Sequence, residues 1–416
     1  MNYWYLLAAI PVFGLLVFVH ELGHFLTAKW AGIRVEEFGL GLPPRIVGIR
    51  RRPGGGWELI WFNGGTQPSQ PATAQTADDL WTPSAPGSGT IAGEREGSSM
   101  AVAPPSSTIY SLNLLPIGGF VRMPGENGEM YDEYGRYDPQ SFASKSAGKR
   151  LIVLVAGVAM NFLLAILLFS IAYSVGEPVI PPVIAKVAPG SPAAAVGLRP
   201  GDTFLSVNGQ PVQQFSDVQN IVQQAIAQAH GQATVPVHVV IRHAGDSQPV
   251  ALTINVRVNP PPGQGPMGIE RGNEVRYVTY PLWQAPLKGI TQTFSVTGQF
   301  ISSIVQMVTG AVKPEIAGPV GIVQMTGEVA QTVPTIGWWP ILTLTGILSL
   351  NLAIINILPF PALDGGRVLL IFIELLRGGK RLRPEREGLI NLVGMAILLM
   401  LIVVVTISDV VNWSAR

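Results

Sequence analysis

Four stretches of this 416-residue chain are long and apolar enough to cross a bilayer, and they constrain its fold more than any other feature. They run from Trp4 to Leu26, from Leu151 to Val175, from Trp338 to Leu376 with an interruption at Pro359 and Pro361, and from Leu389 to Ile407. Charged residues make up only 13% of the chain, against roughly 25% in ordinary globular domains. A segment in lipid must satisfy its own backbone polar groups, so these stretches are expected to be helices. The fold class implied is a polytopic α-helical membrane protein with the lipid bilayer as a standing partner. A net charge of +1, with no arginine-rich stripe carrying interleaved aromatics, gives no argument for nucleic acid, and none is expected as a partner.

The basic residues orient the spans. Arg50, Arg51 and Arg52, then Lys149 and Arg150, lie between the first two spans, and Arg377, Lys380, Arg381, Arg383 and Arg386 lie between the last two. By the positive-inside rule both connections face the cytoplasm. The termini and the stretch 176–285 then lie outside it. The first span differs from a secretory signal peptide. It lacks a basic leader and a small-residue cleavage site, and it carries His20, Glu21 and His24 at its end.

The connections have their own character. Residues 31–150 alternate short strand-like pieces (EEFGLGLPPRIVGIRRR, WELIWF, IYSLNLLPIGGFVRM) with an insert at 63–107, in which 24 of 45 residues are Gly, Pro, Ser or Thr. So little apolar surface cannot form a core, and disorder is expected there. Residues 178–257 read as a soluble α/β insert. Its stretch APGSPAAAVGLRPGDTFLSVNGQPV resembles the core of a PDZ domain, a module in which a strand edge accepts an extended peptide. Peptide C-termini are candidate ligands, and a spacer or steric gate is the plainer alternative. Residues 284–312 space their apolar side chains as an amphipathic helix does, suited to the outer membrane surface or to the flank of the insert.

The chemistry is concentrated in His20-Glu21-Leu22-Gly23-His24. Four-residue spacing puts both imidazoles on one helix face, where they can share a metal ion, with Glu21 beside them as general base. Three ionisable groups at the end of an apolar span are costly unless they bind metal, pair or line a wet cavity. A rise of about 1.5 Å per residue puts His20 about 24 Å from Trp4, in the cytoplasmic half of the bilayer. The chain has no cysteine, so zinc would need His and carboxylate ligands, and a catalytic zinc needs a third from the protein. Asp364 is the candidate, at the end of Asn356-Ile-Leu-Pro-Phe-Pro-Ala-Leu-Asp364-Gly-Gly. The two prolines must break the span, and Asp364 precedes a new apolar run as an N-cap would. His230, His238 and His243 fall in the soluble insert and are expected to be surface or packing residues.

HELGH in the first span and NILPFPALDGG in a later one together resemble the site-2 protease family of intramembrane metalloproteases. The single PDZ-like insert resembles its bacterial branch that processes membrane-bound anti-sigma factors. Further pieces match at VEEFGLGLPPR, LLPIGGFVRMPGE, GVAMNF and GPVGI. The resemblance implies zinc bound by His20, His24 and Asp364, Glu21 as general base, and Asn161 holding the substrate backbone. It implies a membrane-associated β-sheet after the first span and a multi-pass protein of the cytoplasmic membrane. Single-span membrane proteins, trimmed beforehand on the outside, would be the substrates. Two readings compete with it. A membrane-anchored PDZ binding protein would have no use for an intact Glu21, and a metal transporter would have none for the extracytoplasmic module.

Overall fold

The computed structural model describes residues 3–52, 55–62, 107–126, 128–131, 135–229, 232–310 and 318–414. All of the glycine- and serine-rich insert except Ser107 lies outside them. Two compact units are distinguished. The first comprises residues 1–168, 289–332 and 341–416, and the second 169–288 and 333–340.

Among the described residues, four helices are long and apolar enough to cross a membrane, over Leu7–Ala31, Ala147–Val175, Trp339–Ile357 and Pro384–Val411. The first belongs to α1 (Tyr3–Ala31), which continues past the expected end at Leu26. It stops where Gly32 takes φ +72°, with Ile33 N–H donating to the Ala28 carbonyl. That left-handed residue closes the last turn at no steric cost to glycine. The second is α2 (Ala147–Val175). Val12 and Leu16 of α1 pack with Leu164 and Leu168 of α2 and with Leu344 and Leu348 of α7 (Trp339–Ile357). The last helix, α9 (Pro384–Ser414), is different: only 6% of its most apolar stretch is buried, against 50% for α2. Most of its leucines and valines are exposed, which suits a helix with lipid around it.

After α1 the chain forms a sheet in the order β2–β1–β3 from β1 (Glu37–Arg51), β2 (Trp57–Trp61) and β3 (Ile109–Arg122). β1 and β3 each double back, so Gly39 is paired with both Ser111 and Phe120, while Gly48 also pairs with Ser111. One face of the sheet shows Trp57, Leu59, Trp61, Ile49 and Leu112, all exposed. The other holds a buried polar pin: Glu37 accepts from Arg45 at 3.0 Å and from Ser111 at 2.6 Å. An apolar outer face over a paired inner charge suits a sheet lying against lipid.

Two further helices of this unit follow the insert. The apolar periodicity of 284–312 corresponds to α5 (Ala285–Val308), whose Leu287, Phe294, Ile301, Val305 and Val308 are exposed. Sequence reasoning missed α6 (Pro319–Ile336). It has no long apolar run, and its stripe of Ile322, Thr326 and Val329 becomes legible only against the cluster of α1, α2 and α7. The GPVGI stretch lies at its start, where the Gly318 and Gly321 amides donate to the Asp409 carboxylate at 3.1 and 2.8 Å.

The second unit is α/β. Its sheet runs β7–β6–β8–β9, from β6 (Thr203–Val207), β7 (Gln210–Pro211), β8 (Thr234–Arg242) and β9 (Pro249–Arg257). Phe204, Val237, Ile241 and Ile254 fill its core together with Val218 and Val222 of α4 (Phe215–Ala227). The unit does not end at residue 257. β10 (Ile269–Arg271) returns to pair with β5 (Ile184–Val187), and β11 (Arg276–Val278) with β4 (Glu177–Val179). The short α3 (Pro192–Ala195) is capped by the Ser191 hydroxyl.

Candidate metal centre

The two histidines of α1 are buried, 6% and 7% exposed, with their rings edge to face. Their Nε2 atoms lie 3.2 Å apart. Asp364 Oδ2 is 3.1 Å from Nε2 of His20 and 3.2 Å from Nε2 of His24. Donors about 2.0–2.1 Å from a tetrahedral zinc ion lie about 3.3 Å from one another. The triangle therefore has the size and donor chemistry of three corners of such a site, and it leaves the fourth open. Among the described residues, no other group of His, Cys, Asp or Glu could hold a metal ion. His238 and His243 pair instead with Thr253 and Asp202 in the second unit, and His230 is outside the described residues.

Close helix approach makes this possible on the α1 side. A Cβ at Gly23, the one small residue of the motif, would sit 2.5 Å from the Ala156 carbonyl oxygen of α2. The Nδ1–H of His24 donates to the Val153 carbonyl at 2.8 Å, which leaves Nε2 free as a ligand. Asn161 is wholly buried, its side-chain amide is 3.2 Å from Nδ1 of His20, and it does not line the cavity described below.

Asp364 arrives by a different route. α7 ends at Ile357, and α8 (Asp364–Leu376) begins after the turn that carries Pro359 and Pro361. Ala362 in that turn has φ +74°, a conformation costing a non-glycine residue on the order of 1 kcal/mol. The N-cap position is Leu363, so Asp364 is the first helical residue, one position past the N-cap place the sequence suggested. Its carboxylate makes no capping bond and is given over to the histidines. Gly365 and Gly366 let α8 tuck beneath the turn, since a Cβ on either would overlap the carbonyl oxygens of Leu358 or Phe360.

The triad opens on a cavity of about 280 Å³, lined also by Glu21, Gly119–Met123, Glu126 and Arg367. Gly119 allows the close approach of β3 to α1, because a Cβ there would lie 3.2 Å from Glu21 Cγ. Residues 119–122 pair with β1 on one side, and no described strand pairs with them on the other. Glu126 and Arg367 form an ion pair at the wall, joining the loop after β3 to α8. The amide nitrogen of Asn356 lies 3.4 Å from Nε2 of His20.

Three of these residues escaped sequence reasoning in their roles. Asn356 was visible as one of two amides, with Asn351, in an apolar run, eight residues before Asp364. Glu126 was visible only as part of LLPIGGFVRMPGE. Arg367 had no signal beyond its place after two glycines.

The model of peptidase family M50 matches residues 8–83 and 97–401. A zinc metalloprotease named RasP from Oceanobacillus iheyensis is 31% identical over 97% of this chain and 98% of its own length. Zinc metalloprotease RasP of Geobacillus kaustophilus and the regulator of sigma-W protease RasP of Bacillus subtilis are each 29% identical, over 97% of both chains. The match takes in both α1 and the turn before α8, and over so much of its length it decides the classification: the chain belongs to peptidase family M50, the site-2 protease family.

Proposed function

We propose that the protein is a zinc endopeptidase that cuts single-span membrane proteins within the bilayer, with His20, His24 and Asp364 as zinc ligands and Glu21 as general base. One observation carries the reading: three donor atoms from regions 340 residues apart in sequence meet at 3.1–3.2 Å beside a glutamate-lined cavity. The curated relatives named zinc metalloproteases support zinc as the ion.

Bound zinc would supply Lewis acidity for the scissile carbonyl and lower the pKa of the attacking water toward about 7. Glu21 accepts the water's proton and returns it to the leaving amine. The Asn356 amide is placed to donate toward developing negative charge on the carbonyl oxygen. A substrate helix hides its peptide bonds, so it must unwind to be cut. The free edge of residues 119–122 then pairs with the unwound segment as an added strand, which the cavity position of that edge supports.

The substrates proposed are membrane segments left after an outer domain has been trimmed, such as anti-sigma factors or remnant signal peptides. The name of the Bacillus subtilis relative, a regulator of sigma-W protease, points the same way. The basic connections support a metal site toward the cytoplasm and a second unit on the outer side. That unit is read as PDZ-like. Its groove of about 320 Å³, between Phe215, Val218 and Val222 of α4 and Pro266, Met267 and Ile269, suits an extended peptide tail. The test is cleavage of a reporter membrane segment by wild type and by Glu21→Gln. Loss of the product in the variant is expected, and cleavage at the wild-type rate would overturn the mechanism.

A further inference from the structure

The face of α2 turned toward the histidines carries three features at four-residue spacing, which places them on one stripe of the helix. The Val153 carbonyl accepts from Nδ1 of His24. Gly157 leaves the rings room: a Cβ there would overlap Nε2 of His24 and lie 2.8 Å from Cε1 of His20. Asn161 presents its amide 3.2 Å from Nδ1 of His20. The two imidazoles thus rest on one strip of a neighbouring helix, one turn apart on each partner.

The chemistry of a histidine ligand gives this strip a purpose. An imidazole that binds a metal through Nε2 carries its proton on Nδ1, and that proton needs an acceptor which fixes both tautomer and ring orientation. For His24 the acceptor is the Val153 carbonyl. For His20 the group in place is Asn161. Its Oδ1 is buried with no hydrogen-bond partner, while its nitrogen faces Nδ1. An amide rotated end for end keeps its shape and offers the oxygen to the Nδ1 proton, which removes the orphan acceptor on that side. The position of the amide is also secured from behind. The Ser349 hydroxyl of α7, itself fully buried, donates to the Asn161 main-chain carbonyl at 2.8 Å. α7 is the helix whose end carries Asn356 and leads into the Asp364 turn.

We propose that Asn161 is a positioning residue of the metal centre: its side-chain oxygen accepts the Nδ1 proton of His20 and holds Nε2 toward the ion. Gly157 keeps the space in which both rings stand. The GVAMN stretch at 157–161 is then a support for HELGH, acting through the ligands and not on the peptide. Complete burial fits this role, since a residue with no accessible surface does not meet a substrate in the cavity. The inference rests on the metal-binding part of the proposed function.

The test measures zinc affinity of the purified full-length protein in detergent, by competition with a chromophoric chelator and with no substrate present. Asn161→Ala should bind zinc about 10- to 100-fold more weakly than wild type, the usual effect of losing a ligand's hydrogen-bond partner. Asn161→Asp, which keeps an acceptor oxygen but has no N–H to offer a peptide, should stay close to wild type. Gly157→Ala should weaken binding at least as much as Asn161→Ala. If Asn161→Ala does not stay monodisperse, Asn161→Gln replaces it, with the same fall expected from an oxygen displaced by one methylene. Unchanged zinc affinity in the alanine or glutamine variant would overturn the assignment, and so would an equal loss in the aspartate variant. Glu21→Gln, run alongside, separates the two conclusions. It should bind zinc as wild type does and cleave nothing, and cleavage by it would sink the proteolytic reading while the Asn161 result stands on its own.

Discussion

His20 and His24 reach the metal site from an unbroken helix, whereas Asp364 reaches it from a break between two helices. On the first side the spacing is set by helix geometry alone, and glycine serves only to bring α2 close, at Gly23 and Gly157. On the second side the backbone itself is unusual: two prolines, a left-handed alanine and two glycines packed against carbonyl oxygens. On the proposed assignment, the contrast is between two ways of fixing a ligand in a membrane. A regular helix holds two donors at no conformational cost but can offer them from one direction only. A third donor has to come from another element, and here a broken span presents it, at the cost of strain and of exposed backbone that must face protein or water.

The largest effect expected lies on the α1 side, at the residue between the two histidines. Glu21→Gln should lower the cleavage rate by about 10²- to 10⁴-fold, the usual contribution of a general base, with zinc content unchanged by atomic absorption. If zinc were lost as well, Glu21 would have a structural part in the α1 half. Asp364→Ala should next abolish stoichiometric zinc binding in the same assay, because two imidazoles from one helix leave the ion short of its third ligand. Retention of one zinc per chain would mean that the broken half is not a ligand at all.

Smaller effects sharpen the comparison. Gly366→Ala forces a methyl group against the Phe360 carbonyl, and overpacking of this kind costs about 1–3 kcal/mol. Thermal melting should show that loss together with weaker zinc binding, since the turn is what aims Asp364. Arg367→Ala leaves Glu126 without its partner at the cavity wall, at a cost of about 1–3 kcal/mol, which Glu126→Gln on the same background should relieve. If the double variant is no more stable than the single one, the ion pair does not tie β3 to α8.

Much of this architecture is legible in the sequence. The four spans, the HELGH helix, the aspartate beyond the prolines and the amphipathic α5 all rest on local rules, because lipid obliges a spanning segment to be helical and a helix fixes which residues share a face. Other elements are not. The helix at 319–336 has too few apolar residues to announce itself and exists because Ile322 and Val329 meet a groove between three other helices. The strands at 269–271 and 276–278 are three residues each and acquire meaning only through partners about 85 to 100 residues earlier. The doubled pairing of β1 and β3, which leaves residues 119–122 with no described strand on one side, depends on long-range register that no local pattern encodes.

Taken alone, the amino-acid order determined the solvent, the helices long and apolar enough to cross it, the class of ion that histidine and carboxylate without cysteine can hold, and which residues are candidates to hold it. What only the tertiary structure decided is convergence: that Asp364 lies 3.1 Å from His20 across 344 positions of chain, that Asn161 stands behind an imidazole instead of in the cavity, and that Arg367 closes on Glu126. The reason is physical. Spacing along a helix follows from bond geometry and is written locally. The distance between helices follows from which side chains, glycines above all, allow two backbones to meet.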